Sequence, residues 1–366
     1  MTLKGGSYFC AMEADIQWMR RALQLAANGL GNVSPNPMVG CVIVHEGSII
    51  GEGWHRQYGG PHAEVWAIHD AESKGNAHLL PEATAYVTLE PCSHTGKTPP
   101  CADLIVSKKL KKVIICNSDP NPLVSGRGIA RMIDAGIEVE IGLLASEGLA
   151  LNKRFFTAME QKRPYVILKW AETADGFLGH ERGEALRISG MLSNMRVHQW
   201  RTEEDAILVG YKTALMDNPR LNVRNWEGRD PVRVVLDRHL QLPATLNLFN
   251  KIQPTIVVNY LQESSLPDFP ERYSGTSDMA YLQVNPGADE IEQMLIGLLA
   301  RKIQSVFVEG GAAVIHAFLQ TGLWDEIRHC QGPVVIGNGV KAPTTTGILR
   351  SSEKVEKDLW TYYSRV

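Results

Sequence analysis

The 366-residue sequence has no apolar stretch approaching the roughly 18–20 residues that a membrane-spanning helix needs. Its beginning, Met1 to Cys10, lacks the basic start and apolar middle of a secretory signal peptide. Positive charge is also in short supply, because 37 Lys and Arg face 40 Asp and Glu and leave a formal net charge of −3. Such a chain has no overall positive field to hold a nucleic-acid backbone. We therefore expect a cytoplasmic protein that binds neither membranes nor nucleic acids.

Cysteine is scarce as well. The six cysteines are too few and too scattered for a disulfide scaffold, and they lie at Cys10, Cys41, Cys92, Cys101, Cys116 and Cys330. In a reducing compartment, paired cysteines more often bind a metal or take part in chemistry. The hydrophobic content of 44% is ordinary for a globular protein, and the length favours two domains over one.

The first part of the chain alternates helical and strand-like patterns. Apolar residues at helical spacing and short β-branched runs predict helices over 13–27, 63–73, 102–109 and 129–135, with strands over 39–44, 48–53, 85–89, 113–116 and 137–141. This order is typical of a three-layer α/β domain. A connecting helix over 146–160 follows, and we place the domains at 1–148 and 149–366.

The second part predicts another α/β domain. Its expected strands cover 165–169, 206–209, 232–236, 255–258 and 305–308, and its expected helices cover 191–201, 291–302 and 314–321. Residues 262–279 are polar and predict a surface loop. The domain has no G-x-G-x-x-G motif, so a standard dinucleotide-binding domain is not expected. A Gly310-Gly311 turn after a strand would suit a phosphate, although a plain tight turn is the favoured explanation of this pair.

Three candidate metal ligands lie in the first domain. His62 follows Pro61 at the start of a predicted helix, Cys92 follows a predicted strand, and Cys101 precedes the next helix. Catalytic zinc takes three protein ligands in a tetrahedron and leaves the fourth position to water, whose pKa falls towards neutrality. One His and two Cys satisfy this requirement, and the sequence therefore predicts a zinc site.

Glu64, two residues after His62, is the predicted catalytic carboxylate. From there it can take a proton from the zinc-activated water and pass it to the substrate, as the H-x-E signature of zinc deaminases implies. A structural zinc site would instead need a fourth ligand, for which His94 and His69 are candidates. A nucleic-acid-editing deaminase would need basic and aromatic residues, but the eight residues between the cysteines contain one lysine and no Phe, Trp or Tyr.

Five longer motifs stand out in the first domain: PNPMVG at 35–40, PHAE at 61–64, TLEPCSHTGKTPPC at 88–101, DPNP at 119–122 and GRG at 126–128. With these motifs, the domain resembles the deaminase half of the bifunctional riboflavin-biosynthesis deaminase-reductases. The resemblance implies hydrolytic deamination of 2,5-diamino-6-(5-phosphoribosylamino)pyrimidin-4(3H)-one to the uracil. It also implies substrate-binding roles for Asn36, His94, Lys97, Asp119 and Asn121. Turn chemistry remains an alternative for Asn36, Asp119 and Asn121.

The second domain is similar to the reductase half of the same family, which implies a dihydrofolate-reductase-like fold and NADPH-dependent reduction of the ribosyl group to ribityl. The matching pieces are KWAETADG at 169–176, DAILVG at 205–210, DNPRLNVR at 217–224, PVRVVLD at 231–237 and VEGG at 308–311. The implied NADPH-binding residues are Ala171, Thr213, Asp217, Asp237 and Gly311, and Arg187 is a further candidate at a position where the sequence departs from the family. The implied substrate-binding residues are Ala185, Arg201, Leu221, Arg224 and Glu309, with the two arginines on the phosphate.

One departure from the family pattern concerns Arg187, which stands where the family usually has Trp. Arg187 could pair with the 2′-phosphate of NADPH, or the site could be weakened. An active deaminase with a degenerate, non-catalytic second domain is therefore the alternative. For Arg201, the alternative is that it is a solvated residue on a helix with no binding role. We expect one Zn²⁺, NADPH, a phosphorylated pyrimidine substrate and a homo-oligomer, either a dimer or a tetramer.

Overall fold

The structure is a computed structural model that describes residues 5–93, 100–121, 125–181, 186–264 and 279–365, with residues 5–11 described by their backbone alone. The chain divides into two compact units, Met1–Gln161 and Lys162–Val366. The boundary predicted at residues 148/149 refers to functional domains and stays a prediction. No helix among the described residues is long and apolar enough to cross a membrane.

The first unit is built on a five-stranded sheet. Its strands are β1 (Gly40–His45), β2 (Ser48–Trp54), β3 (Thr84–Leu89), β4 (Lys112–Asn117) and β5 (Glu138–Ile141), in the order β2-β1-β3-β4-β5. Strands β1 and β2 form an antiparallel hairpin, β1 pairs antiparallel with β3, and β3, β4 and β5 run parallel. The predicted α/β class is confirmed.

Helices cover both faces of this sheet, since the apolar side chains of each face form a buried cluster of their own. The helices are α1 (Gly5–Ala27), α2 (Ala63–Ser73), α3 (Cys101–Ser107), α4 (Arg127–Asp134), α5 (Ala145–Leu151) and α6 (Lys153–Glu160). Helix α1 begins well before the predicted residue 13, because Gly5 and Gly6 are poor helix formers that hid its first turns.

Two glycines of β2 allow α2 to approach the sheet closely. A Cβ atom at Gly51 would collide with the backbone oxygen of Ala67, and one at Gly53 would collide with the Cβ of Trp66. Only glycine leaves room for this helix–strand distance. The glycines therefore determine the distance between the sheet and α2, which begins directly after His62.

The single connecting helix predicted over 146–160 is wrong, because the chain forms α5 and α6 with a break at Asn152. The backbone of Asn152 lies outside the helical region, and its buried side-chain amide is engaged elsewhere. Its Oδ1 accepts from the Met38 N–H at 2.8 Å, and its Nδ2 donates to the Met38 carbonyl at 2.9 Å. Helical periodicity does not reveal such a long-range bond.

The second unit contains a nine-stranded mixed sheet in the order β11-β10-β9-β8-β12-β6-β13-β16-β15. Its strands are β6 (Tyr165–Glu172), β8 (Ala206–Gly210), β9 (Val232–Leu236), β10 (Thr255–Asn259), β11 (Met279–Gln283), β12 (Ser305–Val308), β13 (Glu326–Gln331), β15 (Ile348–Val355) and β16 (Asp358–Ser364). In this sheet order, the seven strands from β11 through β13 run parallel to one another. Strand β16 runs antiparallel to both of its neighbours, β13 and β15. Short strands β7 (Phe177–Gly179) and β14 (Val340–Lys341) pair separately.

The α-helices among the described residues of this unit are α7 (Met191–Glu203), α8 (Tyr211–Asp217), α9 (Glu290–Ala300) and α10 (Ala312–Thr321). Most strands are buried on both faces, which explains why their continuous apolar runs were predictable. The surface loop predicted over 262–279 is wrong at its end, since Met279 begins β11, and residues 265–278 of it lie outside the described residues. Helix α8 and strands β13 to β16 were not predicted.

Candidate active sites

The three predicted metal ligands meet in the first unit. His62 Nδ1 lies 3.5 Å from Cys92 Sγ and 3.2 Å from Cys101 Sγ, and the three ligand atoms all lie within 4.8 Å of one another. Local structure enforces this arrangement: His62 immediately precedes α2, Cys92 follows β3, and Cys101 is the first residue of α3. Among the described residues no other group of this kind is present, and His69 is not part of it.

The two cysteine thiols have different protonation tendencies. Cys92 Sγ accepts a hydrogen bond from the Cys101 backbone N–H at 3.3 Å. Hydrogen bonding from Cys101 and from His62 lowers the pKa of Cys92 to about 4, whereas the pKa of the buried Cys101 is raised by the same neighbouring sulfur. Cys92 is therefore ready to act as a thiolate ligand at neutral pH.

Glu64 lies beside these ligands, and its side chain is buried. One of its carboxylate oxygens, Oε2, has no hydrogen-bond partner among the residues that the structure describes. Burial raises the pKa of Glu64, although His62 opposes the effect. An imidazole, two sulfurs and a buried carboxylate with an unsatisfied oxygen fit a zinc ion and an attacking water.

A buried histidine that sequence reasoning missed connects Asn36 to this centre. Asn36 Nδ2 and His55 Nε2 lie 3.1 Å apart, and His55 Nδ1 lies 3.0 Å from the Pro61 carbonyl oxygen. The His55 ring meets the His62 ring edge-on, at 5.3 Å between centroids. Burial lowers the pKa of His55, which favours the neutral form of its ring. Asn36 is thus placed beside the metal ligands, and its substrate-binding role stays a prediction.

A second missed residue, Glu90, organises the loop before α4. Its buried carboxylate accepts backbone N–H groups of Gly126 at 3.0 Å and Gly128 at 3.2 Å, with longer bonds from Asp119 and Ile129. Because Glu90 is two residues before Cys92, it connects the metal site to the loop that carries two predicted substrate residues. Of these, Asp119 Oδ1 accepts from the Asn121 N–H at 2.8 Å, which is a local turn contact.

The predicted substrate residues His94, Lys97 and Ala185 lie outside the described residues.

In the second unit, Arg201 and Glu309 form a buried two-point ion pair. Arg201 Nε and Nη2 donate to the two carboxylate oxygens at 2.8 and 3.1 Å, and Lys169 Nζ lies 3.8 Å from Glu309. Burial alone would raise the pKa of Glu309, but Arg201 and Lys169 overcome that effect and lower it to about 2. The alternative of a solvated Arg201 is therefore wrong, since its side chain is 10% exposed.

Several predicted or neighbouring residues surround this pair. Arg201 Nη1 donates to the Asn222 carbonyl oxygen at 3.0 Å, and the Arg224 N–H lies 3.4 Å from Nδ1 of the buried His198. Burial, together with Arg201 and Arg224, lowers the pKa of His198 to about 4. Burial and the nearby Arg201 and Arg220 also lower the pKa of Arg224. Leu221, buried with φ of 54°, turns the chain into this cluster.

The predicted cofactor residues occupy the ends of strands and helices. Gly311 caps the start of α10 beside Thr213, and Ala171 is the second-to-last residue of strand β6. Burial raises the pKa of Asp217 at the end of α8. The side chains of the other two predicted cofactor residues, Asp237 and Arg187, make local contacts. The Asp237 carboxylate accepts from the backbone N–H groups of Gln241 and Leu242, both at 2.9 Å, in the turn that follows it. Arg187 is exposed, and its Nε donates to the Ser189 carbonyl oxygen.

Comparison with known proteins agrees with this division. Residues 12–117 match the cytidine and deoxycytidylate deaminase zinc-binding region, and residues 164–363 match the RibD C-terminal domain. Riboflavin biosynthesis protein RibD of Actinobacillus pleuropneumoniae is 40% identical over 91% of this chain and 87% of its own length. The corresponding protein of Aquifex aeolicus is 38% identical over 90% of this chain and 89% of its own.

Solved structures give the same result. Acinetobacter baumannii RibD superposes with a TM-score of 0.85 at 35% identity, covering 97% of this chain and 99% of that one. The deaminase/reductase of Thermotoga maritima has a TM-score of 0.85 at 36% identity, covering 97% of this chain and 100% of that one. The predicted deaminase-like and reductase-like folds are confirmed, and the chain belongs to the RibD family of riboflavin biosynthesis proteins.

Proposed function

We propose that the chain catalyses two consecutive steps of riboflavin biosynthesis, one in each unit. The first unit deaminates 2,5-diamino-6-(5-phosphoribosylamino)pyrimidin-4(3H)-one to the uracil, and the second reduces the ribosyl group of that product to ribityl with NADPH. The observation that carries the first step is the buried, unsatisfied Glu64 Oε2 beside the convergent His62, Cys92 and Cys101. The family membership of the whole chain supports the pairing of both steps.

In the deaminase unit, His62, Cys92 and Cys101 would hold the zinc ion. Zinc supplies a Lewis acid that lowers the pKa of water and so provides the nucleophile at neutral pH. Glu64 takes a proton from the attacking water and delivers it to the ring nitrogen, and it then moves the proton of the added hydroxyl to the amino group, which leaves as ammonia. Burial raises the pKa of Glu64, which makes its carboxylate a better proton acceptor. Asn36, oriented by His55, would hold the edge of the ring.

In the reductase unit, the cationic cluster around Arg201 would receive the substrate phosphate, and NADPH would supply the hydride. Glu309 compensates only part of the positive charge of Arg201, Lys169 and Arg224. Burial and repulsion from Arg201 and Arg220 lower the pKa of Arg224, and a bound dianion would relieve the repulsion. We propose that Arg224 makes the direct phosphate contact and that Arg201, already paired with Glu309, adds to the field.

A two-step assay on the purified chain tests both activities. Glu64→Gln should abolish deamination by at least about 100-fold, because the proton relay is lost, while zinc content is retained. Glu72→Gln is the matched control on the same helix, since Glu72 is paired with Lys108 at the surface. Loss of zinc in Glu64→Gln would argue that Glu64 is a metal ligand rather than the proton carrier.

The second step is followed by mixing the deaminated intermediate with NADPH and the enzyme. Oxidation of NADPH should occur with the native chain, and Arg224→Ala should raise the KM for the intermediate about tenfold or more. Arg238→Ala, which removes an exposed arginine paired with Glu290, is the control. A native chain that does not oxidise NADPH would support the alternative of a degenerate second unit, which the family match over 164–363 does not favour.

The enzyme is also proposed to act in the cytoplasm as a homo-oligomer. Strand β15 lies at the edge of the nine-stranded sheet, where Ile348 and Leu349 are 42% and 56% exposed. An open edge with apolar side chains favours pairing with a second copy. Light scattering should give a mass of two or four times 40.5 kDa. The mass of a single chain would contradict the proposal.

A further inference from the structure

The C-terminal hairpin, formed by β15 and β16, contacts one face of α7 along most of its length. Four positions of this face meet the hairpin: Gly190, Ser193, Arg196 and Trp200, which are spaced three or four residues apart. That spacing places them in a line along a helix. The contacts are therefore a continuous packing surface rather than a single tether.

The first contact supplies a cap that α7 does not carry itself. Gly190, the residue before the helix, has no side chain, and no acidic residue occupies the first turn. Instead Asp358 Oδ2 accepts from the Gly190 N–H at 2.7 Å, from a position 168 residues further along the chain. A carboxylate at a helix N-terminus satisfies an unpaired N–H group and is favoured by the helix dipole. Asp358 is 1% exposed, so water does not compete for this bond.

The remaining contacts continue along the helix. Trp360 Nε1 donates to Ser193 Oγ at 2.9 Å, and both residues are fully buried. The Tyr362 hydroxyl and Glu353 both contact Arg196. The Trp360 ring then meets the Trp200 ring edge-on, at 4.9 Å between centroids. These contacts fix both the rotation and the axial position of α7.

The next residue along the helix is Arg201, whose guanidinium must reach Glu309 with two hydrogen bonds. His198 lies three residues before Arg201 and on the same face of α7, where its Nδ1 accepts from the Arg224 backbone N–H. A bidentate guanidinium–carboxylate pair tolerates only small displacements of the helix. Any shift or rotation of α7 on the hairpin would therefore be transmitted to the cationic cluster.

We propose that the C-terminal hairpin is the element that positions α7 for reduction, with Asp358 and Trp360 as positioning residues of the reductase site. The inference rests on the proposed function, because it takes the Arg201 cluster to be the substrate site of the second unit. Neither residue reaches that cluster directly. They act by holding the helix that carries Arg201.

Asp358→Ala tests the proposal in the full-length protein. Loss of the charge-assisted cap should raise the reductase KM for the deaminated intermediate about tenfold, with a smaller change in kcat. Asp358→Asn keeps an oxygen acceptor and should stay within about threefold of the native KM. The deaminase rate of the same protein should not change. Hydrogen exchange should increase in α7 in Asp358→Ala.

Thr361→Val is the matched control. Thr361 follows Trp360 in β16 but bonds His329 Nδ1 at 2.9 Å, so the change also removes one hydrogen bond of the hairpin without touching α7. Its reductase KM should match that of the native chain. Should Asp358→Ala not fold, Ser193→Ala removes the Trp360 partner instead and should raise the same KM about threefold.

A folded Asp358→Ala protein with native KM would overturn the proposal, as would an equal effect in Thr361→Val. A parallel fall in deaminase and reductase rates would also contradict it, because that result indicates general unfolding. A native chain that does not oxidise NADPH is a different outcome, which refutes the reductase assignment and the inference with it.

Discussion

Replacing Glu309 with Gln removes the only carboxylate seen to pair with Arg201 among the described residues, and it should destabilise the second unit markedly. The free energy follows from the titration of Glu309. Its pKa is lowered from 4.5 to about 2 by Arg201 and Lys169, despite burial. At about 1.4 kcal/mol per pKa unit, the ionised carboxylate contributes about 3 kcal/mol to folding at neutral pH. Removing one partner of a buried ion pair typically costs about 3–5 kcal/mol, which agrees.

The sign of the pH dependence follows from the lowered pKa. The contribution of Glu309 is fully present above pH 4.5 and is lost as the pH falls towards about 2, where the folded carboxyl becomes protonated. Native protein should therefore lose about 3 kcal/mol of stability across this window through Glu309 alone. Glu309→Gln should lack this part of the acid dependence.

The free energy of unfolding of the second unit is measured by denaturant-dependent hydrogen exchange of peptides within 195–210 and 303–310, which avoids assuming that both units unfold together. Glu290→Gln is the control, since Glu290 pairs with an Arg238 side chain that is 61% exposed. A surface pair of this kind is worth less than about 1 kcal/mol. If Glu309→Gln and Glu290→Gln destabilise the unit equally, the assigned role of the buried pair is refuted.

Three further predictions concern the deaminase unit. Glu90→Gln should lower the deaminase kcat/KM about tenfold in a steady-state assay while zinc is retained, because the loop bonded through Gly126 and Gly128 loses its acceptor charge; unchanged kinetics would contradict this. Asn152→Ala leaves both backbone groups of Met38 unpaired and should lower the free energy of unfolding by about 2 kcal/mol or more in denaturant titration. The deaminase KM should also rise, because Asn36 lies two residues before Met38, and a native KM would argue that the position of Asn36 does not depend on the Met38–Asn152 bonds. Zinc removal by a chelator should abolish deamination and leave NADPH oxidation with the deaminated intermediate intact, and loss of both activities would show that the metal serves the whole chain.

The sequence was most informative where a pattern has one physical cause. Strands β9 and β12 were predicted at their observed bounds, because strands buried on both faces are mostly apolar, although β9 also contains the buried Arg233 and β12 begins with Ser305. The ligands His62, Cys92 and Cys101 were also predictable, since few residue types bind zinc and each ligand lies at the end of an element. Residue chemistry and local periodicity were sufficient in these cases.

Prediction failed where long-range contacts decide the structure. Strand β15 is exposed from Ile348 to Lys354, so no apolar alternation identifies it. The break at Asn152 depends on Met38, and the role of Glu90 depends on backbone N–H groups some 30 to 40 residues away. His55 carries no motif of its own and gains meaning only from its contact with Asn36.

The glycines of β2 have a consequence for how this enzyme tolerates mutation. Gly51 and Gly53 have no side chain that could act in catalysis, yet they determine how far α2 stands from the sheet. A methyl group at either position would lift the helix and move His62 and Glu64 together, while Cys92 and Cys101 would stay with β3 and α3. The geometry of the deaminase site therefore depends on Gly51 and Gly53. A substitution at either position would separate His62 from Cys92 and Cys101, although no predicted catalytic or ligand residue is changed.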